Sequence, residues 1–442
     1  MTSVFNTRVA ACALAAVMGF GFGGASSANA ADLGGNCCAD LEERIAELEA
    51  TTARKGNRKV SLTISGWVNE AIYFWDDGSE SNTYVGTNSL EQSRFKLAGK
   101  AKIDADWSAG YTLEFGVQGA GAGNFSQDLD NGTNPNSVSI RKSVWFVENK
   151  TFGKISVGQD GTSTYHLLDD ADGVNTRSFS DAEAASVYVN AFGLRVNGVA
   201  QGTVTWGNIL GGFNNNTPGQ GGRRNVVKYD SPVIAGFSVS ASWGEDDMWD
   251  SALTYKGEVG DFKLLAKAGY GQTTDENDNA NNGDRGSCAI AAGVGRDCEW
   301  WGLAGTIQHK PTGLFVYGGY GEQTDNNVKT VFGAAAEDAN TTWFVQGGIE
   351  TKFVSLGKTT LFGEYRHDDA GRPESNRTVG GATVAESSVD FWAAGLVQNI
   401  DAAAMDVYLI YRHAEGDVTS TGGVKTNLDD FDMVMTGAKI NF

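Results

Sequence analysis

Arg94, Lys96, Lys100 and Lys102 alternate with Phe95, Leu97, Ala101 and Ile103. An extended backbone through this segment therefore places four cations on one face and apolar side chains on the other. A stripe of cations acts on ions and dipoles through space, and it forms no bonds and needs no cofactor. The same period, less securely, turns Arg141, Lys228, Lys263, Lys267 and Arg412 to the cationic side. A second set of charges, Asp160, Asp169, Asp170, Asp172, Asp181 and Glu183, falls in one long segment between alternating stretches. Acids facing bases across a narrow gap set up a transverse field that orients dipolar solutes and disfavours apolar ones.

Covalent and metal chemistry find less support. The His residues at 166, 309, 367 and 413 are too far apart for a local zinc-ligand spacing. Asp275-Glu276-Asn277-Asp278-Asn279 begins like a calcium loop, but Ala280 stands where Gly is needed and Gly286 where the bidentate Glu belongs. No nucleophile elbow or phosphate-cradling Gly loop stands in a strand-to-helix context. No metal, cofactor or catalytic residue is expected. The enzyme alternative is a hydrolase assembled from Ser and His on distant strands, which turnover of phospholipid or peptide by the pure protein would reveal.

The elements that position these charges follow from composition and period. The chain has 442 residues, 34 Lys plus Arg against 54 Asp plus Glu, a net charge of -20, and 59 Gly. An acidic surplus of this size excludes nucleic acid as a partner, because phosphate binding needs clustered cations. Past residue 30 no charge-free apolar run reaches the roughly 18 residues that a helical span requires. Residues 1–30 read as a secretory signal, with Arg8 before an apolar stretch and Ala28-Asn29-Ala30 as the cleavage box, cut after Ala30. Removing Arg8 takes the charge from -20 to -21. Export also places Cys37, Cys38, Cys288 and Cys298 where disulfides persist. Cys288 and Cys298 share the connection 273–299, and their pairing would contribute roughly 2 to 3 kcal/mol in the chain-entropy model. Two unrelated free thiols are the other reading.

Within 31–59, Asp40 and Glu43 form a capping box, and Arg54-Lys55-Gly56 supplies a stop. The intervening helix, about 41–55, carries Cys38, Leu41, Ile45, Leu48 and Thr52 at heptad spacing. It is either an ordered linker against its own protein or a short periplasmic coiled coil between protomers. A structural tether or assembly role acting through this helix is an alternative function. From residue 60 to 442 the period becomes 2. Sixteen strands are expected at about 60–75, 93–106, 110–119, 139–148, 153–159, 224–230, 236–245, 250–258, 262–272, 300–309, 314–322, 342–353, 358–367, 388–399, 405–414 and 431–442. Connections alternate long and tight along the series, which a water-soluble sandwich has no reason to do and a transmembrane barrel does. Closing the sheet also removes edges that lipid cannot satisfy. Pro135, Pro218, Pro232, Pro311 and Pro373 all fall in connections, as a ladder of amide donors demands. The fold class expected is all-β, a 16-stranded antiparallel transmembrane β-barrel preceded by a short periplasmic helix. An extra hairpin at 186–192 and 194–207 would make it eighteen.

The segment Cys37-Cys38-Ala39-Asp40-Leu41-Glu42-Glu43-Arg44-Ile45, continuing into Arg58-Lys59-Val60-Ser61-Leu62-Thr63-Ile64-Ser65-Gly66-Trp67-Val68, resembles the start of alphaproteobacterial porins. Tyr229-Asp230-Ser231-Pro232 with Ala235-Gly236-Phe237 is similar to the short turn that follows the constriction loop in general diffusion porins. The resemblance covers essentially the whole mature chain. It implies a barrel over 60–442, usually a homotrimer, in the outer membrane of a Gram-negative bacterium. Its surroundings would be outer-membrane lipid and lipopolysaccharide, and it would pass small hydrophilic solutes and ions passively. It also favours reading about 160–223 as one loop folded inward, because a sixteen-stranded barrel is too wide to sieve unaided. Arg94, Lys96, Lys100, Lys102, Arg141 and Lys228 then form the basic wall, faced by Asp160, Asp169, Asp170 and Asp172 on the loop.

Overall fold

The computed structural model describes residues 60–129, 137–212, 217–244, 247–275, 296–332, 336–371 and 377–442. The signal segment with Ala30, the 41–55 helix, Cys37, Cys38, Cys288 and the stretch 276–286 lie outside the described residues.

Alternating segments become long antiparallel strands. The first eight are Thr63–Asp76, Arg94–Lys102, Trp107–Gln118, Ser137–Asn149, Gly153–Gly161, Arg223–Asp230, Phe237–Gly244 and Trp249–Val259. The second eight are Phe262–Asp275, Arg296–His309, Leu314–Asp325, Ala339–Val354, Gly357–Gly371, Ala382–Ile400, Met405–Ser420 and Phe431–Asn441. Each pairs with its neighbour in sequence, and the ladder Trp67↔Asn441 to Asp76↔Asp432 joins last to first. The result is a closed barrel of 16 strands. The eighteen-stranded alternative is set aside. Gly193–Val196 and Val199–Thr205 do form a hairpin, but it is a separate two-stranded sheet that adds nothing to the wall.

Several strands outrun their expected limits at one end, as in Gly357–Gly371 and Met405–Ser420. The turns 310–313 and 401–404 lie at the opposite, short-turn end of the barrel. Above the bilayer both faces of a strand meet water, so the apolar alternation stops while the hydrogen-bonded ladder continues.

The second strand is broken. Ser81–Thr87 pairs with the upper part of the first strand, and Arg94–Ala98 with its lower part. Residues 88–93 leave the ladder between them, and Asn88 becomes fully buried, accepting from Tyr188 Oη at 3.0 Å and donating to Tyr408 Oη at 3.2 Å. This detour brings Glu91 inside.

Outward side chains such as Ile64, Val68, Trp145, Ile155, Leu303, Ile307 and Val316 are exposed and apolar. A belt of that extent marks a surface made for lipid. Aromatic pairs rim it at two heights. Trp249–Tyr270, Trp301–Tyr320, Trp343–Tyr365 and Trp392–Tyr411 stand toward the long-loop end; Trp107–Phe152 and Phe237–Tyr255 stand by the short turns. Their amphipathic rings suit the two membrane interfaces.

Cys298 is fully buried and disulfide-bonded. Peptide mapping under non-reducing conditions is expected to recover Cys288 and Cys298 in one linked species. Recovery of both as alkylated thiols would refute that pairing.

Candidate functional site: a charged passage between loop and wall

The connection 162–222 joins the fifth and sixth strands, and its described residues run along the inner wall. Asp250 accepts from the Ser163 and Thr164 amides at 3.0 and 2.8 Å. Farther along, Tyr317 Oη donates to the Leu168 carbonyl at 2.9 Å, and the Gly173 amide donates to Thr306 Oγ1 at 2.9 Å. Lys439 Nζ donates to Ser178 Oγ at 3.0 Å. Apolar loop residues have one refuge from water, the lumen itself. Phe179, Tyr188, Phe192 and Trp206 pack there on Trp75, Tyr408, Ile410 and Phe431, each worth about 1.5 to 3 kcal/mol of burial. One side of the bore is therefore filled by loop.

On the other side an open space of about 280 Å³ remains, lined by Arg94, Glu114, Arg141, Lys142, Glu91, Asp160, Asp170, Arg177, Arg223 and Lys228, with Tyr165 and His166. Its charges alternate. Glu114 Oε1 accepts from Arg94 at 3.1 Å and from Arg141 at 3.0 Å. Arg94 also meets Glu91 at 3.0 Å, and Glu91 meets Arg177 of the loop at 2.8 Å. Arg177 continues to Asp169 at 3.2 Å and Asp170 at 2.8 Å, and Asp170 reaches Lys267 of the far wall at 3.3 Å. An unbroken chain of ion pairs thus crosses from the fourth strand, over the loop, to the ninth.

Several expectations change here. Of the four alternating cations of the second strand, Arg94 lines the passage. Lys96 sits opposite Glu114 in the register, Lys100 pairs with Glu148, and Lys102 is exposed beside the turn 103–106. Arg141 and Lys228 line the passage as well. Asp160 is a wall residue rather than a loop acid, because the fifth strand extends to Gly161, and it pairs with Lys142 at 2.7 Å. The loop is also not simply acidic, since it brings its own cation, Arg177. Asp169 is buried and faces His166 Nδ1 at 2.6 Å. Burial works against its charge, but His166 and Arg177 outweigh that and hold the carboxyl well below the usual carboxylate range. Asp170 is half-exposed in the passage, whereas Asp172 is buried and makes no ion pair among the described residues.

Glu91, Glu114, Lys142, Arg177 and Arg223 were not singled out from the sequence. Glu114 was legible in principle, since it falls between outward Leu113 and Phe115. Arg141 and Lys142 are adjacent, and one parity cannot turn both inward. A bulge opposite Glu114 and Phe115 does so by adding a residue to the fourth strand.

The sequence model of Gram-negative porins matches residues 10–438. The chain belongs to the Gram-negative porin family. Membership indicates an outer-membrane channel rather than an enzyme. Among solved structures this porin is similar to an anion-selective porin from Comamonas acidovorans, with a TM-score of 0.54 and 15% identity over 87% of this chain and 100% of the other. It is also similar to OmpT of Vibrio cholerae, with a TM-score of 0.51 and 14% identity over 88% of this chain and 99% of the other. At such identities these likenesses concern the fold. A search of curated proteins found no match.

Proposed function

We propose that this porin passes small hydrophilic solutes and ions by diffusion through the passage between the loop 162–222 and the wall, with a preference for anions. One observation carries the preference. Six cations, Arg94, Arg141, Lys142, Arg177, Arg223 and Lys228, line the passage against four carboxylates, Glu91, Glu114, Asp160 and Asp170. Paired charges largely cancel at a distance, and the surplus sets the sign of the potential that a permeating ion meets. The overall charge of the chain does not, since it sums acids over the whole sequence and only four of them line the passage among the described residues.

A homotrimer in the outer membrane completes the proposal. Glu70 supports it: this carboxylate points outward between Val68 and Ile72, where a charge facing lipid is costly, and it is met by Thr87 Oγ1 at 2.9 Å and Ser93 Oγ at 3.0 Å. A neighbouring protomer against this face would remove it from hydrocarbon.

In planar bilayers under a salt gradient, the reversal potential of the purified protein is expected to take the sign of anion preference, more strongly at low salt. Cation preference at low salt would overturn the selectivity reading, and absence of conductance the channel itself.

A further inference from the structure

Thr176 has one hydroxyl hydrogen and stands between two oxygens. Its Oγ1 lies 2.5 Å from Asp172 Oδ2 and 2.9 Å from Gln346 Oε1. The far end of Gln346 decides which way its amide points. Nε2 donates to Glu364 Oε2 at 2.8 Å and to the Ser180 carbonyl at 3.3 Å, and a flipped amide would press its oxygen on a carboxylate. Glu364 Oε1 accepts from Arg412 Nη2 at 2.7 Å and from Ser180 Oγ at 2.8 Å. Gln346 Oε1 is therefore an acceptor, fully buried, and takes the Thr176 hydrogen. The remaining contact, from Thr176 to Asp172, is then a hydrogen bond only when Asp172 supplies the proton.

We infer that Asp172 is a neutral carboxylic acid near neutral pH, and that its proton positions the loop 162–222 against the wall. The hydrogen-bond count rests on no functional reading; only the conductance consequence rests on the channel. The surroundings agree. Asp172 Oδ1 accepts the Val174 amide at 2.9 Å, so both carboxyl oxygens are used. Of the charges that face it, Arg177 on the loop favours the ion, while Glu364 on the wall favours the neutral acid. Lys256, Glu258 and Lys263 line the space beneath, with Asp170. Burial dominates and pushes the Asp172 carboxyl up to about 7. Nearby Asp181 is fully buried, and its Oδ1 lies 3.0 Å from Tyr317 Oη and accepts the Glu183 amide at 2.9 Å. Burial, with Asp172 and Glu183, raises its carboxyl too.

The sign follows directly. A raised carboxyl supports the loop fully below the ordinary carboxylate range, and that support is lost as pH rises through about 7. When the proton leaves, the Thr176 hydrogen turns to the new carboxylate and Gln346 Oε1 is buried without a donor. Asp172→Asn reproduces the neutral acid, because its amide donates to Thr176 while its oxygen keeps the Val174 amide.

The test uses the full-length protein, reconstituted, from about pH 6 to pH 8. In wild type, single-channel conductance and open-channel noise are expected to step with a midpoint near 7, and Asp172→Asn to hold the low-pH value throughout. Infrared difference spectra between the two proteins at the lower pH are expected to show a protonated-carboxyl C=O stretch present in wild type alone. That readout needs no conductance, so it separates failure of this inference from failure of the channel reading. Absence of the infrared band, or the same pH step in Asp172→Asn, would overturn the proposal.

Discussion

Replacing Arg412 with Leu is expected to lower stability by about 3 to 5 kcal/mol and to release the loop from the wall. The side chains of Arg412 and Glu364 are 2% and 1% exposed and meet at 2.7 Å. Without Arg412 the Glu364 carboxylate stays buried with, among the described residues, the Ser180 hydroxyl and the Gln346 amide as its partners. Those neutral donors replace neither a full charge nor the stacking of the guanidinium 5.2 Å from the Tyr188 ring centroid. Heat-modifiability in detergent gives the readout, with the unfolding temperature falling and open-channel noise rising. Removing both partners, as Arg412→Leu with Glu364→Leu, should recover much of the loss, since apolar residues of similar size tolerate such a site better than one stranded charge. Lys352→Gln is the control, because Lys352 and Asp401 are exposed and 3.5 Å apart, a class of pair worth about 0 to 1 kcal/mol. A loss in Arg412→Leu no larger than in the control would refute the anchoring role.

Arg94→Gln combined with Arg141→Gln is expected to move the reversal potential strongly toward cations. Both guanidiniums converge on Glu114 Oε1, and Arg94 also faces Glu91. Their loss turns a passage with six cations and four carboxylates into one with four of each, with two of the acids freed beside the ion path. A tenfold change in the anion-to-cation permeability ratio requires only about 1.4 kcal/mol, well within the few kcal/mol of unit charges about 4 Å apart at an effective dielectric near 20. Screening sets the salt dependence, with a Debye length of about 10 Å at 0.1 M, so the shift should shrink as salt rises. Neutralising Lys96, Lys100 and Lys102 while leaving Arg94 should move selectivity far less, since Lys100 is held by Glu148 and Lys102 stands at the rim. Among the loop acids, Asp170 alone should matter, because Asp169 is buried in its own ion pairs and Asp172 is buried and does not line the passage. Wild-type selectivity in the double Gln variant at both low and high salt would show that these arginines do not line the ion path.

The sequence alone carried the antiparallel strands, their order, the end bearing the long connections and the inward face of Arg94, while tertiary structure decided that the hairpin at 193–205 stays out of the wall and that a bulge turns Arg141 inward beside Lys142. Period 2 is a property of neighbouring residues, and lipid on one face makes an error of one residue too costly to tolerate. That is why the stretch from Arg94 to Ile103 could be read without any knowledge of what lies across from it. Tertiary structure decided which charges meet. Glu91 enters because the second strand breaks at 88–93, and it pairs with Arg177 far along the chain. Asp170 finds Lys267, and Arg412 finds Glu364, only when the barrel closes and the loop lies inside it. The charge state inferred for Asp172 hangs on the one hydroxyl hydrogen of Thr176, which goes to Gln346 Oε1 because Gln346 Nε2 donates to Glu364, and no local pattern links these residues. Parity chooses a face for a side chain, but its ionisation and its partner depend on burial and on groups that arrive from the opposite wall.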